Sequence, residues 1–196
     1  VRNVTPAREA VIAAARAVLG LTAPGAAYLT LVDPAGDPAH QAQVATLSGC
    51  MLVALAVQDA VFSLSARVPY VPGSAPRLLT ERAGGSPLAP RGACRLATTS
   101  CPPQPGDLLW YGAHGPAVEH VEHALEVELL SNGDLAVTCV AGGQRTAEGR
   151  EAVAEVARTL TWRGGAWVDV ETGRPVLAVL DADRLAQRHG LREEAL

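Results

Sequence analysis

Apolar side chains at Val11, Ile12, Ala15, Val18 and Leu19 recur at helical spacing, interrupted by Glu9 and Arg16. Thr5 before Pro6 supplies an N-cap hydroxyl and a proline whose fixed φ suits the first helical position, and Gly20 offers a stop. This pattern predicts a first helix. Residues 21–40 contain two Asp-Pro steps, at 33–34 and 37–38, and read as mostly loop. A second helix is expected over roughly 50–62, opened by Ser48-Gly49-Cys50. Asp59 is its one charged residue, so most of its surface should be buried. Residues 68–106 are rich in proline and glycine. That is too long for a linker inside one small domain, and it reads as a functional or substrate-facing loop region.

Beyond Gly106 the period drops to two. Leu108–Tyr111 is a short apolar run behind the turn Pro105-Gly106-Asp107. From His123 to Leu130, Leu125, Val127 and Leu129 alternate with Ala124, Glu126 and Glu128. Ser131-Asn132-Gly133-Asp134 is a strong turn, and Leu135–Val140 returns as the partner strand, so an antiparallel hairpin is expected. Residues 148–160 fit both periods. Val153, Val156 and Leu160 mark a helical face, while 155–162 also reads as a strand. Arg163-Gly164-Gly165 turns into Trp167–Val170, Pro175–Leu180 is a further strand, and Asp181–His189 is a terminal helix stopped by Gly190. The fold class is α+β: N-terminal helices packed on an antiparallel β-sheet, in one domain over 1–196.

Composition narrows the function. At 196 residues the chain can bury a core without disulfide or metal, and with 48% apolar and 18% charged residues it is not disordered. The net charge is −4, all 16 basic residues are arginine, and no basic run occurs, so no nucleic-acid partner is expected. No stretch of eighteen apolar residues occurs, so no membrane insertion is expected. No basic–apolar–small leader pattern is seen at the N-terminus. Cys50, Cys94, Cys101 and Cys139 form no Cys-x-x-Cys, and the histidines do not extend them into a zinc spacing, so neither metal nor cofactor is expected. Cys94 and Cys101 are close enough in sequence to pair, if geometry allows.

Cys50 is the first candidate for chemistry. A thiolate at a helix start is stabilised by unpaired amides and the dipole, whereas a cysteine inside an apolar helix is inert. A nucleophilic cysteine needs a base. Of the five histidines, His189 sits near a helix end, His40 in a loop and His114 in a flexible turn, while His120 and His123 bracket Val121-Glu122 before the hairpin. A histidine at the mouth of a strand is rigidly aimed, which favours His123 as the base. His120-x-x-His123 is also a possible metal pair, but spacing of three on a strand sends the rings to opposite faces. For the group orienting the imidazole, the candidates are Gln144, Cys139 and Thr138. Gln144, behind Gly142-Gly143, can accept from the ring N–H or simply be a turn residue.

Cys50, then Pro105-Gly106-Asp107-Leu108-Leu109-Trp110-Tyr111, then His123-Ala124-Leu125 resembles the NlpC/P60 and CHAP cysteine peptidases in order and spacing, over roughly residues 45–145. The resemblance implies a papain-like core with Cys50 as nucleophile, His123 as base and Gln144 near the third catalytic position. It departs from the family in the Ser48-Gly49 and Met51-Leu52 flanks of the cysteine, and in Ala141 where a polar residue is usual. What it implies functionally is a bacterial hydrolase: a thiol protease or amidase cutting an amide in a peptidoglycan peptide (a muropeptide), secreted or periplasmic. The Cys50 N–H would donate to the oxyanion, an upstream tyrosine (Tyr28) would lie near it, and Trp110 or Tyr111 would line the cleft. Asp107 is expected to hold its turn. Two other readings stay open: a catalytically inactive peptide- or glycan-binding module of the same fold, and an acyltransferase using the same Cys/His pair.

Overall fold

The computed structural model describes residues 4–33, 36, 38–64, 75–112 and 118–195, and for 38–48 and 118 the backbone alone. Five helices and seven strands follow in order: α1 (Pro6–Ala17), α2 (Ala26–Val32), α3 (Pro38–Val61), α4 (Ala75–Ala83), β1 (Cys94–Arg95), β2 (Leu108–Gly112), β3 (Val118–Leu129), β4 (Leu135–Arg145), β5 (Glu151–Arg163), β6 (Ala166–Asp169), β7 (Val176–Leu180) and α5 (Ala182–His189), with a last 3-10 turn at Glu193–Ala195. Helices thus come first, and a large antiparallel sheet of order β1-β7-β2-β3-β4-β5-β6 follows, as an α+β fold.

Local chemistry explains most boundaries. The Thr5 hydroxyl accepts from the Arg8 N–H, and Pro6 opens α1. The Asp181 carboxylate accepts from the Asp183 and Arg184 N–H groups to start α5, and Gly190, at φ 80°, ends it. Two helices lie where loop was expected. In the proline-rich region, α4 buries Ala75, Leu78, Leu79 and Ala83, and Pro76 falls in its first turn, where a missing N–H costs nothing. The seven-residue α2 buries only Tyr28 and Val32, too short a span to show a period. The ambiguous segment is strand β5, because β4 pairs with it from Leu135↔Leu160 to Arg145↔Glu151.

The sheet has two apolar faces. Leu108, Trp110, Val121, Leu125, Val140 and Val153 pack with α1, α3 and α4. On the other face Leu109, Tyr111, Ala124, Cys139, Leu160 and Val179 pack on one another. They meet because the sheet curls: Val168 of β6 bridges to Pro175, just ahead of β7. At one end Arg8 of α1 reaches Asp107 at 2.8 Å and Asp183 at 2.7 Å, and Arg95 reaches Asp107 at 2.7 Å and Asp181 at 3.0 Å. Asp107, fully buried, also accepts from the Gln104 N–H at 2.9 Å, so it fixes its own turn. Cys94 is buried, Cys101 is exposed, and both are free thiols.

Candidate active site

Cys50 does not begin a helix. It lies well inside the 24-residue α3, so its N–H belongs to the helical ladder and no helix terminus acts on its sulfur. Gly49 is there for packing. A β-carbon on it would lie 2.5 Å from Glu151 Oε1 and 2.9 Å from the Tyr28 hydroxyl. The sheet answers with its own glycines. Between Ala141 and Gln144 the register of β4 shifts, and a β-carbon on Gly142 would stand 2.6 Å from the Gly49 carbonyl oxygen. Gly143, at φ +71°, lies under Cys50, with the Cys50 nitrogen 3.4 Å from where its β-carbon would be. Three small residues therefore let α3 settle onto β4 with the thiol half-buried at the contact.

The histidine that meets this thiol is His120. Its Nε2 donates to Glu122 Oε1 at 2.7 Å, and Cys50 is near enough to raise its proton affinity. With Nε2 committed to Glu122, Nδ1 is the nitrogen left for another partner. His120 and Glu122 are two apart on β3 and so share a face. Burial works against a charged His120, but the nearby Cys50 and the bond and charge of Glu122 outweigh it and raise the imidazolium to about 9. Burial likewise opposes an ionised Glu122, yet His120 and Arg158 hold its carboxyl below the ordinary range. The Tyr111 ring lies behind His120, centroids 6.2 Å apart.

No family model, curated protein or solved structure matches this chain. The geometry of the residues therefore carries the functional argument.

Of the other expected site residues, all but Tyr28 lie elsewhere. His123 points to the helix face, 3% exposed, where neither ring nitrogen has a partner in good hydrogen-bond geometry. Burial pushes it down to about 4, against a slight pull from the backbone of Ala54, so it is a neutral core residue rather than the base. Gln144 does not orient an imidazole. Its amide turns back to the Gly142 carbonyl at 3.4 Å. Trp110 and Tyr111 are 1% and 2% exposed, one on each apolar face, and line no open cleft. Tyr28 does reach the site. It is fully buried, its hydroxyl has no hydrogen-bond partner among the described residues, and burial, then the charges of Glu151 and Cys50, raise its proton affinity. The ring of His40 and all of His114 lie outside the described residues.

Glu122, Arg158 and Glu151 were not singled out from sequence. A signal for the first existed, since His-x-Glu on a strand puts an imidazole and a carboxylate side by side. The strand begins at Val118, ahead of His123, and so carries both residues. Among the described residues, no group of three or more His, Cys, Asp or Glu is placed to hold a metal ion, and no helix is long and apolar enough to cross a membrane.

Proposed function

We propose that this chain is a papain-like cysteine amidase or endopeptidase, similar to the NlpC/P60 peptidases, acting through Cys50, His120 and Glu122. The observation that supports the reading is an imidazole held at 2.7 Å by a fully buried carboxylate, with a half-buried thiol near enough to raise its proton affinity. This is the arrangement of nucleophile, base and orienting group that acyl transfer needs.

Cys50 attacks an amide carbonyl as the thiolate paired with the His120 imidazolium, forming a carbon–sulfur bond as the carbonyl pair moves onto oxygen. His120 gives its proton to the leaving amine as the carbon–nitrogen bond breaks. Water, deprotonated by His120, then opens the thioester, and sulfur leaves as the thiolate. Glu122 keeps the imidazole oriented and stabilises its cation. The Cys50 N–H serves the helix, so Tyr28 is the donor offered to the oxyanion, its buried hydroxyl being without another partner among the described residues. The substrate class, a bacterial cell-wall peptide met outside the cytoplasm, is taken from the resemblance.

The test is iodoacetamide labelling of each cysteine, read by peptide mass spectrometry, on wild type, His120→Ala and His123→Leu. Exposed Cys101 serves as internal reference, while Cys94 and Cys139 are buried. Cys50 should label in the wild type and in His123→Leu, and slow about tenfold or more in His120→Ala, the worth of one charge-assisted hydrogen bond. Equal Cys50 labelling in all three proteins sinks the proposal. Muropeptides are then the first substrates, with release of a new amine as the readout.

A further inference from the structure

Glu122 is gripped from behind. Arg158 of β5 reaches across β4, its Nε donating to Glu122 Oε2 at 3.2 Å and its Nη2 to Oε1, the oxygen His120 also uses. The arginine is itself anchored, with Nη1 3.8 Å from Asp169 Oδ2 on β6. Asp169 is immobilised in turn, accepting from the Thr172 hydroxyl at 2.6 Å and the Glu171 N–H at 3.2 Å. We infer that Arg158 is a positioning residue, whose two-point grip fixes the plane of the Glu122 carboxylate so that Oε1 meets His120. This rests on the cysteine–histidine reading above and adds a fourth member to it.

The physics needs such a partner. Glu122 has no solvent exposure, and a buried carboxylate with one donor would rotate or take up a proton. A guanidinium fork occupies both oxygens in one plane, which a single ammonium does not. The charged and titratable groups around Glu122 are His120 on its own strand, Tyr111 from β2, the Cys139 thiol from β4, Arg158 from β5 and, behind it, Asp169 from β6. Of the positive groups among them, only Arg158 is independent of the reaction's proton.

Two readouts test this on the full chain: Cys50 labelling at pH 6, and titration of the His120 ring carbon–proton NMR signal, which reports Glu122 through Nε2. Glu122→Gln and Arg158→Gln should each slow labelling about tenfold or more, the loss of a charge-assisted bond, with Arg158→Lys between them and wild type. The acid-side step in the His120 signal should move to higher pH in Arg158→Gln, and less in Arg158→Lys. Wild-type labelling and titration in the Arg158 variants, with Glu122→Gln slowed, overturns the inference and leaves the proposed function standing. If His120→Ala and Glu122→Gln both label like wild type, the Cys–His reading fails instead. The titration then decides alone: a moved step supports the grip, and an unmoved one overturns it. Should Arg158→Gln not fold, Arg158→Lys carries the comparison, and wild-type values in both readouts overturn the grip.

Discussion

Gly142→Ala should uncouple the thiol from its proposed base, His120, without touching either. A β-carbon there would sit 2.6 Å from the Gly49 carbonyl oxygen and 2.7 Å from Val53 Cγ2, where ordinary contact begins at 3.4 Å. The missing distance, roughly 0.8 Å, lies between two backbones, so no rotamer change supplies it; α3 must lift from β4. Overpacking of this kind costs about 1–3 kcal/mol, and a misplacement approaching 1 Å at a reacting centre costs about 10²-fold in rate. Gly143→Ala is the control. Its β-carbon would find 3.4 Å to the Cys50 nitrogen and 3.5 Å to Glu151 Oε1, so it fits, but φ +71° is the left-handed region. That strain costs about 1–2 kcal/mol without moving the helix. Urea unfolding should therefore show both variants destabilised, while Cys50 labelling relative to Cys101 collapses in Gly142→Ala alone. Wild-type labelling in Gly142→Ala, or an equal fall in both variants, refutes the reasoning.

The two histidines should give opposite stability profiles. His123 is held down to about 4 in the fold, below its value in the unfolded chain, so its contribution is complete above about pH 6.5 and is lost as pH falls through 4; a shift this large is worth about 3 kcal/mol. His123→Leu should flatten that acid slope in urea titrations, and an unchanged slope would place the loss elsewhere. His120, raised to about 9, contributes below about pH 6.5 and loses that contribution as pH rises through 9, so His120→Gln should remove an alkaline decline. Tyr28→Phe removes a buried hydroxyl without a partner among the described residues, so stability should hold or rise, while turnover of a muropeptide falls about 10²-fold. Undiminished turnover removes Tyr28 from the oxyanion.

The local rules carried far along this chain. The Thr5-Pro6 start, the Asn132-Gly133 turn, the alternation after Leu125 and the Gly190 stop each depend on a few adjacent residues, and each element they predict is present. The α+β order follows from them. Where one segment satisfied two periods, as at 148–160, only the β4 ladder decided, because a strand's hydrogen bonds lie on another strand. The short helices α2 and α4 escaped for a related reason: they are held by the surfaces they cover.

At the site, the sequence by itself determined the nucleophile candidate, the strand that carries both candidate histidines, and Asp107 as a turn residue. It did not determine which histidine. His120 and His123 are three residues apart, and strand parity sends His123 to the face that α3 covers, where it stays neutral in the core, and His120 to the face it shares with Glu122 and Tyr111. The choice depends on which face α3 covers, and that is set by a β4 register shift and the glycines at 49, 142 and 143. Cys50, Glu122 and Arg158 are distant or differently spaced in sequence, on α3, β3 and β5. Pairing of β3, β4 and β5 brings Glu122 and Arg158 within hydrogen-bond range, and docking of α3 on β4 brings Cys50 near them, so only the tertiary structure could assemble them.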